Sequence, residues 1–228
     1  TPKYKISEKW QKSVSSEDQE GIWDTLIGRL NSNNSSIASL CSQAITRLFI
    51  IDDSMDVRLL FSLAESLWNS IRDGSNHVVY GAADALVSIL ETSEGSDVLL
   101  HCERVEELIQ LIFGGANCLA FESSYDDQSR IKGLKILESL VQILGSHLET
   151  EKENTTRQLL PEIRAFDLLS ICLEASSSSV GYAFVDMLFT TVKYYREEMN
   201  ECFVAILEHL TDVIGEMGTD QIEICSKI

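Results

Sequence analysis

The chain has 228 residues, 44% hydrophobic and 24% charged, with 36 acidic residues against 18 basic and a formal net charge of −18. A field of that sign repels phosphate backbones and anionic membrane surfaces, so nucleic acid and lipid are poor partners; the charge suits a Lys- or Arg-bearing protein partner or serves only to keep an extended fold soluble. Only two prolines, Pro2 and Pro161, and 12 glycines punctuate the chain, too few for an all-β fold of this length.

Residues 1–15 stand apart as a basic tail or docking segment, with Lys3, Lys5, Lys9 and Lys12 around one apolar anchor, Trp10. From residue 16 to 228 the pattern reads as one helical domain. Ser16-Glu17-Asp18-Gln19 has the form of a capping box, followed by Ile22, Trp23, Leu26, Ile27 and Leu30 at helical spacing. The polar run Asn31–Ser36 breaks this helix. Ser35 or Ser36 then caps the next, through Ile37, Leu40, Ala44, Ile45, Leu48 and Phe49.

Met55 to Ile71 predicts a third helix, closed by a left-handed Gly74, and Val78 to Leu90 a fourth, with Asn76 as its cap. After a Thr92–Gly95 turn, Val98 to Phe113 predicts another helix, broken near His101 and stopped by Gly114-Gly115. An insertion, Ala116 to Asp127, leads to a helix at Gln128–Leu144. Beyond a charged loop come helices at about Glu162–Glu174, Val180–Tyr195 and Glu198–Met217. The fold class is all-α.

Four of these helices share a small residue, an apolar residue, two variable positions and then Leu or Met. They begin at Ala44, Ala82, Gly133 and Ala183, with spacings of 38, 51 and 50. A small residue there lets two helix backbones approach closely. With Gly21–Phe49 and Asn76–Phe113 each reading as helix, polar break and second amphipathic helix, residues 16–217 resemble the armadillo/HEAT superfamily. The resemblance implies a right-handed superhelical α-solenoid of about four to five repeats, whose second helices line a groove for an extended peptide or partner helix. It further implies that Arg47, Asn76, Tyr80, Asp84, Ser88, Arg130, Lys135, Glu138, Tyr182, Asp186 and Lys193 face that groove. The Trp and Asn ladder of importin-like members is missing: the matching pairs here are Thr46 and Ile50, Asp84 and Ser88, Lys135 and Ser139, and Val185 and Phe189. Independently of the resemblance, Lys193-Tyr194-Tyr195-Arg196 sets two aromatics between two cations, which suits either an interaction hot spot or a helix end where one Tyr packs and the other covers the terminus.

Nothing in the residues spells out catalysis. His77, His101, His147 and His209 stand singly, and the acidic clusters Asp52-Asp53-Asp56, Glu103-Glu106-Glu107, Asp126-Asp127 and Glu197-Glu198-Glu201 fall in turns and helix ends where solvation is cheap. The six cysteines are too widely spaced for a CxxC pair and occupy apolar helical contexts, as expected of reduced thiols in cytosol or nucleus. No cofactor or metal is expected, and no enzymatic activity. The expected role is a scaffold or adaptor binding a protein segment. The alternative is a structural or regulatory subunit that uses a broad apolar surface or a repeat end, with self-association open at the Trp10 tail and the final Gln221–Ile228 segment.

Overall fold

A computed structural model describes residues 9–10, 12–30, 32, 34–51, 57–72, 79–122, 124–146 and 178–194. They form eight helices: α1 (Ser16–Leu30), α2 (Ser35–Ile51), α3 (Val57–Arg72), α4 (Val79–Leu90), α5 (Ser93–His101), α6 (Val105–Phe121), α7 (Asp127–Gly145) and α8 (Ser178–Tyr194). There is no strand among the described residues. The expected helices at 162–174 and 198–217, the stop at Gly74 and the cap at Asn76 lie outside them.

Capping residues set the helix starts, and they are shifted from the expected ones. Asp18 N–H donates to Ser15 Oγ at 3.2 Å while Ser15 Oγ donates to Asp18 Oδ2 at 2.6 Å, so the reciprocal box is Ser15/Asp18, one position before the expected Ser16/Gln19. Asn34, rather than Ser35 or Ser36, caps α2: its Oδ1 accepts from Ser36 N at 3.0 Å. A planar carboxamide at this position accepts the first free N–H groups as well as a hydroxyl does. Thr92 caps α5 through Gly95 N at 3.0 Å, so the expected 92–95 turn is the opening turn of a helix. Asp126 caps α7 through Ser129 N at 2.9 Å. The expected break near His101 is present, with Cys102 extended at φ −67°, ψ 130°.

Gly114 and Gly115 do not stop a helix. α6 runs through them to Phe121 and takes up half of the expected insertion. Both glycines lie against the preceding row of side chains: a Cβ on Gly114 would stand 2.9 Å from Trp68 Cζ2, and one on Gly115 would stand 3.0 Å from Leu67 Cδ2. Tertiary contact therefore outweighs their poor helix propensity.

The chain divides into two compact units, residues 1–115 and 116–228. In the first, α1 pairs with α2 and α3 with α4, while α2 also packs on α4. Leu30, Ile45, Leu60, Leu63, Leu67, Leu86 and Ile89 are completely buried there, each contributing about 1.5–3 kcal/mol of apolar transfer. α3 and α6 run side by side in the same direction, because Phe61 meets Arg104 at one end and Trp68 meets Leu111 at the other. In the second unit α7 and α8 are also parallel, since Glu138 meets Thr190 and Gly145 meets Tyr194. Leu134, Leu137, Phe184 and Met187 are buried there at 0–1% exposure.

Of the four small residues expected at helix contacts, Gly133 meets the expectation most directly. A Cβ there would lie 2.6 Å from both Ala116 O and Ala120 N, which are backbone atoms that cannot swing aside. Ala82 is fully buried, whereas Ala44 and Ala183 are only half-buried. Gly133→Ala is expected to lower stability by about 1–3 kcal/mol through overpacking. Gly28→Ala, on a helix position with nothing within 4 Å, should raise it by about 0.5–1 kcal/mol. Urea denaturation of both variants checks this, and equal stability would mean that α6 and α7 do not approach closely at Gly133.

Tyr125, in the turn before α7, is buried, and this burial foremost, followed by the neighbouring Cys118 and Glu122, pushes its phenol up to about 12. A phenol raised above its unfolded value near 10 favours the neutral form in the fold, so its contribution is complete below about pH 10 and is lost as pH rises toward 12. Tyr125→Phe should flatten the alkaline limb of a stability–pH curve, measured by urea denaturation, across that window.

Candidate functional site

The helices that bear the expected groove residues place them unequally. Arg47 on α2, Lys135 on α7, and Tyr182, Asp186 and Lys193 on α8 are exposed, while Asp84 and Ser88 on α4 are half-buried. Glu138 is half-buried and accepts a hydrogen bond from Thr190 Oγ1 at 3.2 Å, so it ties α7 to α8. Tyr194 covers Gly145, with Lys193 Nζ 4.7 Å from its ring centroid. Asn76, Tyr195, Arg196 and the side chain of Tyr80 lie outside the described residues.

Arg130 does not belong to an exposed face. It is 7% exposed, and its Nε is buried without a hydrogen-bond partner. Helical period explains the correction: 130 lies on the same side of α7 as the buried Gly133, Leu134, Leu137 and Val141.

The concavity that the first unit does contain lies on the other row of helices. An open groove of about 1060 Å³ runs between α3 and α6. α3 supplies Arg58, Phe61, Ser62, Glu65, Trp68, Asn69 and Arg72, which recur every three or four positions along one face. The other wall is Arg104, Glu107, Gln110 and Leu111.

Two interhelical contacts set its form. At one end the Trp68 indole N–H donates to the carbonyl of Leu111 at 2.9 Å, using the carbonyl's second lone pair. The indole lies against Gly114 because no side chain stands there. At the other end the Arg104 guanidinium stands 4.9 Å from the centroid of Phe61. Glu107 fixes Arg104, accepting from its Nε at 2.7 Å and from its Nη2 at 2.5 Å, and this hydrogen-bonded pairing raises the pKa of the guanidinium. Both side chains of that pair are more than half exposed, so it orients Arg104 more than it stabilises the fold. Arg58 reaches Glu20 of α1 at 3.2 Å, and Arg72 donates to Asn69 Oδ1 at 3.1 Å.

Chemically this is an aromatic and aliphatic floor under a rim of both charges. Three of the chain's 18 basic residues stand on that rim, and Trp and Arg are the side chains that most often dominate binding energy. Sequence reasoning missed it by looking only at the second helices of each pair. A signal was present: Phe61 and Trp68 precede Arg104 and Leu111 by the same 43 positions, within the range of a two-helix repeat.

Elsewhere the described residues hold no group of three or more His, Cys, Asp or Glu placed to bind a metal ion. His101 is exposed, with Nδ1 2.7 Å from Asp97 O. Cys41, Cys102 and Cys118 are not joined in disulfides. No helix among the described residues is long and apolar enough to cross a membrane. Set against known proteins, the chain matches no family model, no curated protein sequence and no solved structure.

The wall contact can be weighed by substitution. Trp68→Phe keeps the ring but removes the donor to Leu111 O and should cost about 1 kcal/mol. Trp68→Ala also removes the ring from Gly114 and should cost more, about 2–3 kcal/mol for a half-buried aromatic. Thermal denaturation distinguishes the two, and a Trp68→Phe variant as stable as wild type would mean the indole N–H contributes nothing to the wall.

Proposed function

We propose that the chain is a non-catalytic scaffold of armadillo or HEAT type that holds a segment of another protein. The observation that carries this reading is the groove between α3 and α6, with Phe61, Trp68 and Leu111 as floor and Arg58, Arg72 and Arg104 on the rim. An extended peptide or a short helix offers apolar side chains to such a floor and polar groups to such a rim. The parallel course of α3 and α6 at a 43-position step supports the repeat architecture. Long-range attraction from a net charge of −18 favours a partner that is basic overall.

A second reading, a subunit of a larger assembly, draws on one observation. Leu40 on α2 is 65% exposed, an apolar side chain on the second row of helices. The two readings use different faces of the first unit and can be separated.

Photo-crosslinking side chains placed at Ser62 and Gln110, both on the groove, and at Ser39 on exposed α2 provide the test. The scaffold reading expects one protein to crosslink from positions 62 and 110 and not from 39. The double reversal Glu65→Arg with Arg72→Glu should weaken its capture roughly tenfold or more, since rim charges set register and encounter. Crosslinks confined to position 39 would overturn the groove and favour the assembly subunit.

A further inference from the structure

α8 presents to solvent a stripe that is complementary to itself. Tyr182, Asp186, Phe189 and Lys193 are spaced four, three and four positions apart, so at about 100° per residue they fall within about 60° of one another around the helix. All four are exposed, and Val180, Gly181, Phe184, Met187, Leu188 and Thr191 are buried on the opposite side of the helix. Phe189 is 72% exposed, the most exposed large apolar side chain among the described residues. Alone it would need no explanation; set between opposite charges on one stripe, it gives that stripe an apolar centre with a charge at each end.

The charges beside it identify the occupant. Asp186 lies one turn before Phe189 and Lys193 one turn after it. Asp186 has no ion pair among the described residues, and the Lys193 ammonium is engaged only with the ring of its neighbour Tyr194. In a two-fold antiparallel pairing whose axis passes at Phe189, the two phenylalanines meet at the centre. Asp186 of each copy then falls opposite Lys193 of the other, offset by only about 1.5 Å along the helix axis. Such an arrangement forms two identical ion pairs around one aromatic contact. A parallel pairing would instead set Asp186 against Asp186 and Lys193 against Lys193.

We propose that α8 is a homodimerisation surface, its occupant being α8 of a second copy of this chain in antiparallel register. The pairing is independent of the groove between α3 and α6, which uses residues of the other unit. A contact made by one helix is small, so the dimer is weak and exchanges freely. The net charge of −18 on each copy opposes it. That opposition acts at long range and fades where the Debye length is about 8 Å, while the paired groups stay in contact.

The test is sedimentation velocity on the full chain at about 0.15 M salt, from micromolar to sub-millimolar concentration. Wild type is expected to pass from monomer to dimer. Phe189→Ser should weaken the dimer roughly tenfold or more by removing the central apolar contact. Asp186→Lys and Lys193→Asp should each do the same, because every reversal sets like charges opposite one another twice. Mixing the two reversal variants in equal amounts should restore a dimer, now mixed. In the mixed pair each reversed charge faces the other variant's reversed charge of opposite sign, and the native Lys193 of one chain faces the native Asp186 of the other. All four positions are exposed, and circular dichroism of each variant confirms that it remains folded. A wild-type chain that stays monomeric throughout overturns the proposal, as does a dimer indifferent to Phe189→Ser or a mixture that fails to recover. A monomeric variant that still crosslinks its partner from positions 62 and 110 leaves the scaffold reading standing, so the two fail separately.

Discussion

Two helix backbones can approach each other only where no side chain intervenes, and the described parts of this molecule are organised around that constraint. Gly81 sits against the carbonyl of Leu30, Gly133 against Ala116 and Ala120, Gly145 against Tyr194, and the Gly114-Gly115 pair under Leu67 and Trp68. Each contact fixes one helix against a neighbour some 13 to 51 positions away. At two of these points, Gly81 and Gly133, a Cβ would meet backbone rather than a flexible side-chain end, and a packed interior cannot absorb that by small shifts. The buried leucines and isoleucines supply most of the cohesion, but they are interchangeable in a way these glycines are not.

The groove between α3 and α6 follows from the same constraint. Because Gly114 leaves room, the Trp68 indole crosses from one helix to the other and donates to the Leu111 carbonyl. The helices are then tied at that end and, through Arg104 and Phe61, at the other. Between the ties α3 and α6 stand apart, and the space they leave is the concavity. The Arg104–Glu107 pair orients a guanidinium that would otherwise sample many rotamers, so its side-chain ordering cost is already met in the fold.

Legibility in the sequence differs from feature to feature. Helix type and approximate extent are legible from periodicity, as in α2, α3 and α7, since apolar residues at 3.6-residue spacing have few alternatives. The ends are less legible. Ser15 and Asn34 cap where Ser16 and Ser35 or Ser36 are expected, because runs such as Ser-Ser-Glu-Asp and Asn-Ser-Ser offer several equivalent acceptors. Gly114-Gly115 reads locally as a helix stop, and only the presence of Trp68, 46 positions earlier, makes it a helix interior. Arg130 reads as a surface cation because charge is a local property, whereas its burial depends on which face of α7 turns inward. Of the candidate surfaces, Tyr182, Asp186 and Lys193 on α8 are named from sequence, but the α3–α6 groove is not. A groove belongs to two helices at once, and its lining is scattered over segments that share no local motif.

The step of 43 positions from Phe61 to Arg104 and from Trp68 to Leu111 also bears on how the first unit comes together in time. Closing a loop of that length costs little more entropy than closing one half as long, about 0.6 kcal/mol. No neighbouring pair of helices is therefore strongly preferred as the place where folding begins. Contacts of that separation let a helix add to a neighbour already in place at modest entropic cost. A substitution at one of these contacts is therefore felt chiefly by the two helices that share it.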